Sequence, residues 1–137
     1  MNRRQLQQLS RIRIRETRTL LNNGNFSGAY YLAGYSIECA IKACISRRIR
    51  QSEIPDKKFI QDCYTHNLRD LVRLAGLENY RATLERTNTN FAANWAIVKE
   101  WKETSRYLTF TQTQARELYN SITSRNGGIL RWIRQYW

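Results

Sequence analysis

Twenty-five consecutive residues, Phe26 to Arg50, contain no proline and put apolar side chains on nearly every face of a helix. Phe26, Ala29, Tyr30, Ala33, Ile37, Ala40, Ile41, Cys44 and Ile45 follow the i, i+3, i+4, i+7 spacing, while Leu32, Tyr35, Cys39 and Ala43 make the opposite side apolar too. A helix that is apolar all round has no solvent face, so it belongs in the middle of a bundle. The small residues Gly28, Ala33 and Gly34 let neighbouring helices approach it closely. Within the same segment lie Glu38 and Lys42, spaced i, i+4. That order suits an ion pair, and either charge buried alone would be costly. The pair is read either as a salt bridge that fixes bundle register or as a polar site opening on a cleft.

Little in the remaining chain interrupts helix. One proline, Pro55, and six glycines punctuate it, with glycines at 24, 76, 127 and 128 where helices should stop. The pattern predicts helices over about Arg3–Leu21, Phe26–Arg50, Thr65–Leu77, Phe91–Glu103, Thr111–Arg125 and Ile129–Trp137, with a loop around Pro55. On the first, Leu6, Leu9, Ile12, Glu16 and Leu20 lie near one stripe, expected to face inward, with Arg4, Arg11, Arg15 and Arg18 on a cationic outer face. Thr65 or Asn67 is the expected cap of the third, and Thr111 with Gln114 a capping box on the fifth. The expected architecture is all-α, an up-and-down bundle of four to six helices in one domain spanning 1–137.

Twenty-three lysines and arginines oppose 11 acids, a net charge of +12, and most of the cations are arginine. Arginine's planar fork suits phosphate, so RNA, a nucleotide or an acidic protein is the expected partner, unless the charge serves only to keep the chain soluble. The three cysteines are odd in number and form no CxxC, and there is one histidine, so neither disulfide, metal site nor other cofactor is expected. Without a long apolar run or a secretory signal, the chain is expected to be cytoplasmic and not membrane-bound.

Four places could carry chemistry. Arg11, Arg15 and Arg18 share a face of the first helix, and Arg47, Arg48 and Arg50 end the second; both are candidate RNA phosphate sites. His66, in Cys63-Tyr64-Thr65-His66-Asn67-Leu68, falls where a loop enters a helix, which can offer an imidazole to a ligand or simply to backbone. Arg106 beside Tyr107 could hold a phosphate or stack on a base, and otherwise is a solvated arginine on an aromatic anchor. Glu38 and Lys42, with Tyr107, complete the set as a polar core or nucleotide site.

The run from Gly28 to Ala43, with Thr65-His66-Asn67-Leu68 after it, resembles the hallmark second helix and following segment of HEPN domains, and the likeness extends over most of the chain. The resemblance implies a helical bundle, homodimerisation, and a role in prokaryotic toxin–antitoxin pairs or phage defence, often beside a nucleotidyltransferase or other effector. Many members are metal-independent ribonucleases in which an arginine precedes the histidine by four to six intervening residues. In this chain Phe59, Ile60 and Gln61 hold those positions. A catalytic His66 therefore needs an arginine distant in sequence, and Arg106 is the first candidate. The other expectation is a non-catalytic accessory subunit docked on its partner.

Overall fold

The computed structural model describes residues 1–51 and 54–137, with Arg50 and Gln51 given in backbone only. Among the described residues there is no strand. Eight α-helices follow one another: α1 (Arg3–Asn22), α2 (Phe26–Gln51), α3 (Lys57–Asp62), α4 (Leu68–Leu74), α5 (Glu78–Thr87), α6 (Thr89–Val98), α7 (Gln112–Thr123) and α8 (Ile129–Arg134), with a 3₁₀ turn at Glu103–Tyr107. The all-α bundle read from the sequence is the architecture found. No described helix is long and apolar enough to cross a membrane.

The helix ends obey local chemistry. Asn2 and Thr111 each head a capping box, and Asn67 caps α4 by accepting from the Asp70 N–H at 3.1 Å. Gly76 ends α4 with φ +75°, its N–H bonding Arg73 O while the Leu77 N–H bonds Val72 O. This paired closure uses the left-handed residue that glycine supplies most cheaply.

As expected, α2 is central. Ala33, Ile37, Ala40, Ile41, Cys44 and Ile45 meet Leu68, Leu71 and Val72 of α4, Phe91, Trp95 and Val98 of α6, Leu118 and Ile122 of α7, and Ile129 and Ile133 of α8 in one core. α1 runs antiparallel to α2, with Ser10 against Ser36 and Leu20 against Gly28. The hydroxyls of Ser10 and Ser36 donate to each other's main-chain oxygens at 2.8 and 3.1 Å, in a fully buried exchange.

The inward stripe of α1 differs from the one expected. Ser10, Thr17 and Leu21 are buried, whereas Leu6, Leu9, Ile12 and Leu20 are only partly covered. Small side chains with internal hydrogen bonds allow a close approach that bulky leucines would prevent; Thr17 satisfies itself on Arg13 O at 2.9 Å.

Two helices escaped the sequence pattern. α5 fully buries no side chain: Leu84 packs against the core, Tyr80 stacks on Tyr136 and Arg81 lies over Trp95 while pairing with Glu78 and Glu85, so its apolar period is faint. α3 also buries none, and Lys58 pairs with Asp62 on its surface at 3.1 Å. The helix expected over Phe91–Glu103 ends at Val98, because Trp101 turns back onto α2.

Candidate functional site

Three elements converge on one side of α2. Glu38, one turn below Gly34, is only 2% exposed, and its Oε1 accepts from Lys42 Nζ at 2.9 Å. The expected i, i+4 pair is therefore formed inside the bundle. The same oxygen lies 2.8 Å from Nδ1 of His66. A carboxylate can only accept, so Nδ1 carries the proton it donates, which fixes the ring's orientation.

His66 is presented by a tight approach to α4, in which Thr65 Oγ1 accepts from the Asn67 N–H at 3.1 Å and Asn67 caps the helix. Its other nitrogen, Nε2, stands 3.3 Å from Oε2 of Glu103, on the 3₁₀ turn. Oε1 of Glu103 accepts from Arg106 Nη1 at 2.9 Å. The result is an alternating row, Lys42, Glu38, His66, Glu103, Arg106, which joins α2, the start of α4 and the 3₁₀ turn. His66 and Arg106, forty residues apart, are thus brought together through an acid between them.

The turn is seated by aromatics. The Trp101 indole lies directly over Gly34, and Tyr31 stacks on it with ring centroids 6.0 Å apart. Ser105 is buried and donates to Lys102 O, which tightens the turn. Tyr107 is exposed, with the Arg106 guanidinium 4.8 Å above its ring. Tyr107 first, against the opposing effect of burial, and then Glu103 and Tyr31 hold the Arg106 pKa above its ordinary value, so this part-exposed cation keeps its charge.

Burial pushes the Cys39 thiol up to about 11, with the Glu38 carboxylate adding to the effect, so the sulfur next to Glu38 stays protonated and is no nucleophile. The other oxygen of Glu38, Oε2, is buried with no hydrogen-bond partner among the described residues. An unanswered acceptor on a buried carboxylate is uncommon. Among the described residues no group of three or more His, Cys, Asp or Glu side chains is arranged to hold a metal ion.

The remaining candidates lie elsewhere. Arg48 donates to Leu74 O at 2.7 Å, tying the end of α2 to the last carbonyls of α4, and its guanidinium lies over Phe59. Arg47 reaches Tyr136 O at 3.4 Å, and the side chain of Arg50 falls outside the described residues. Arg11, Arg15 and Arg18 are exposed on α1. Phe59 is half-buried, and Ile60 and Gln61 are exposed on α3.

Glu103 was not singled out from the sequence. Its link to His66 spans 37 positions, and no spacing rule reaches so far; only the neighbouring Arg106, at i+3, hinted at a local pair.

Compared with models of known protein families, with curated proteins and with solved structures, the chain finds no match.

Proposed function

We propose that this protein is a HEPN-type, RNA-directed subunit of a prokaryotic defence or toxin–antitoxin system, and that the His66 centre is where it engages an RNA phosphate. One observation carries the reading: an imidazole oriented by a buried carboxylate, with a permanently charged guanidinium on the same short row. That is the set a metal-independent ribonuclease needs. Nε2 takes the proton of a 2′-hydroxyl as its oxygen attacks the adjacent phosphorus. The P–O5′ bond breaks, and the departing 5′-oxygen takes a proton back from the imidazolium. The products are a 2′,3′-cyclic phosphate and a 5′-hydroxyl end, and Arg106 steadies the charge on the phosphorane. Glu103 must leave Nε2 for this to happen, and its withdrawal frees Arg106 in the same step. Arg11, Arg15, Arg18, Arg47, Arg48 and Arg50 belong to this reading as phosphate contacts, with a homodimer as the working form.

The position of Glu103 favours one second reading. With a carboxylate on each side of the imidazole, the row is a closed clasp, and the protein is then an accessory subunit docked on a nucleotidyltransferase or other effector. Incubation with mixed RNA in excess chelator separates the two. Cleavage to cyclic-phosphate ends that His66→Ala abolishes supports the nuclease. Intact RNA, with wild-type protein and His66→Ala alike, supports the accessory subunit.

A further inference from the structure

Acids are unevenly distributed along this chain. Elsewhere in the chain several arginines are paired with acids: Arg13 with Glu16, Arg73 with Asp70, Arg81 with Glu78 and Glu85, and Arg106 with Glu103. Residues 118–137 contain Arg125, Arg131 and Arg134 and no acid at all. The fold lays this segment against α1, and between α1, α7 and α8 it encloses a cleft of about 420 Å³. Arg15 and Arg18 line it from α1, Arg125, Arg131 and Arg134 from the other side, and Tyr119 contributes an aromatic face. None of these arginines forms an ion pair among the described residues.

Such a grouping of like charges opposes folding unless something answers it. Burial, and after it the nearby charge of Arg11, draws the Arg134 pKa below its ordinary value. Both guanidiniums lie against the ring of Trp137, Arg11 at 4.8 Å and Arg134 at 5.4 Å from its centroid. Arg11, Arg15 and Arg18 recur along one face of α1, the first two about 6 Å apart along the axis. That step is of the same order as the one between successive phosphates of an extended strand.

We infer that this cleft is a second site, separate from the His66 centre, which binds the phosphodiester backbone of a single-stranded nucleic acid. The cations are all arginine, the side chain whose fork fits phosphate on two sides. A row of them beside a tyrosine is the combination that tracks a strand and stacks its bases. The cleft volume falls in the range that accepts one nucleotide unit at a time. An acidic peptide would meet the charge but make no use of the aromatic face.

The inference rests on the RNA-directed reading for its ligand class, yet a binding measurement tests it without cleavage. A fluorescein-labelled oligouridylate decamer, the matching DNA decamer and a polyglutamate peptide are titrated in chelator at about 50 and 200 mM salt. Arg131→Ala/Arg134→Ala is compared with the wild type and with Lys57→Ala/Arg86→Ala, which removes two cations elsewhere. Circular dichroism checks that each variant is folded. The expected result is a loss of roughly tenfold or more in decamer affinity for the cleft variant alone, with the slope of log K against log salt falling by about 0.7 per lost phosphate contact. Equal binding of RNA and DNA identifies the backbone as the element read, and tighter RNA binding adds its 2′-hydroxyls. Unchanged affinity in the cleft variant, equal losses in both variants, or polyglutamate binding as tight as RNA overturns the inference. Binding through the cleft without any cleavage leaves the inference standing and sinks the nuclease reading, whereas full cleavage with an inert cleft does the reverse.

Discussion

The Trp101 indole rests on the bare backbone of Gly34: a Cβ at position 34 would stand 2.2 Å from three of its ring atoms. Trp101 is 1% exposed and leads directly into the turn that carries Glu103 and Arg106. The absence of a side chain at one position of α2 thus fixes where two members of the ionic row lie.

Gly34→Ala should therefore destabilise the protein, although alanine is the better helix former. Expelling the ring costs about 1–3 kcal/mol in overpacking, against about 1 kcal/mol gained in helix propensity. Urea unfolding should show the net loss, and near-ultraviolet circular dichroism a changed tryptophan signal. A more stable variant with an unaltered tryptophan spectrum would mean that the indole yields easily.

Glu103→Gln should change stability by less than about 1 kcal/mol, since its contacts are part-exposed and such pairs are weak. It should also raise affinity for uridine monophosphate, by releasing His66 Nε2 and Arg106 together. Isothermal titration with that nucleotide checks the second effect; weaker binding would assign Glu103 to ligand capture rather than to occlusion.

Glu38→Gln should cost more, about 2–3 kcal/mol, because it removes the one carboxylate shared by Lys42 and His66. Lys42 and His66 still reach solvent, which keeps the loss below that of a fully enclosed pair. Denaturant titration gives the magnitude, and Glu38→Gln/Lys42→Met should recover part of it.

The thiols should be slow to alkylate. Burial raises Cys44 to about 12 and Cys39 to about 11, so at pH 8 the thiolate of Cys39 is about one part in a thousand. Cys63 is only half-buried, with its pKa raised less. Mass spectrometry after iodoacetamide treatment of the folded protein should find modification at Cys63 first. Early labelling of Cys39 would show that α2 opens on that timescale.

A hydrogen bond from Arg81, ahead of the opposing effect of burial, holds Glu78 below its ordinary carboxylate pKa. A lowered folded-state value means stabilisation present above the unfolded value of 4.5 and lost as pH falls through the folded one. Glu78→Gln should therefore flatten the decline of melting temperature below pH 4.5, the pair being too exposed to matter much otherwise. An unchanged acid limb would remove Glu78 from that decline.

How legible was this in the sequence? α2 was plain, since twenty-five residues without a polar face leave only a central place. Glu38 and Lys42 could be paired because a helix brings i and i+4 together. The cap at Thr111 and the stop at Gly76 were readable because each is settled within a few residues, and the cap of α4 was narrowed to Thr65 or Asn67, of which Asn67 is the one found. α5 was not, for it fully buries no side chain and only Leu84 and Tyr80 carry its apolar contacts, too few to make a period. The inward face of α1 was misplaced because leucine outranks serine on any hydropathy reading, while two hydroxyls that answer each other can be buried closer. Arg106 could be guessed as the companion of His66, yet the acid between them belongs to tertiary geometry.

The exchange between Ser10 and Ser36 bears on how α1 can move. Sliding α1 by one turn, about 5.4 Å, would part both hydroxyls from each other's main-chain oxygens and break the reciprocal exchange. The exchange therefore favours one register of α1 against α2 over its neighbours. Whatever meets the arginines on its outer face encounters a ruler of fixed marks rather than a sliding rail.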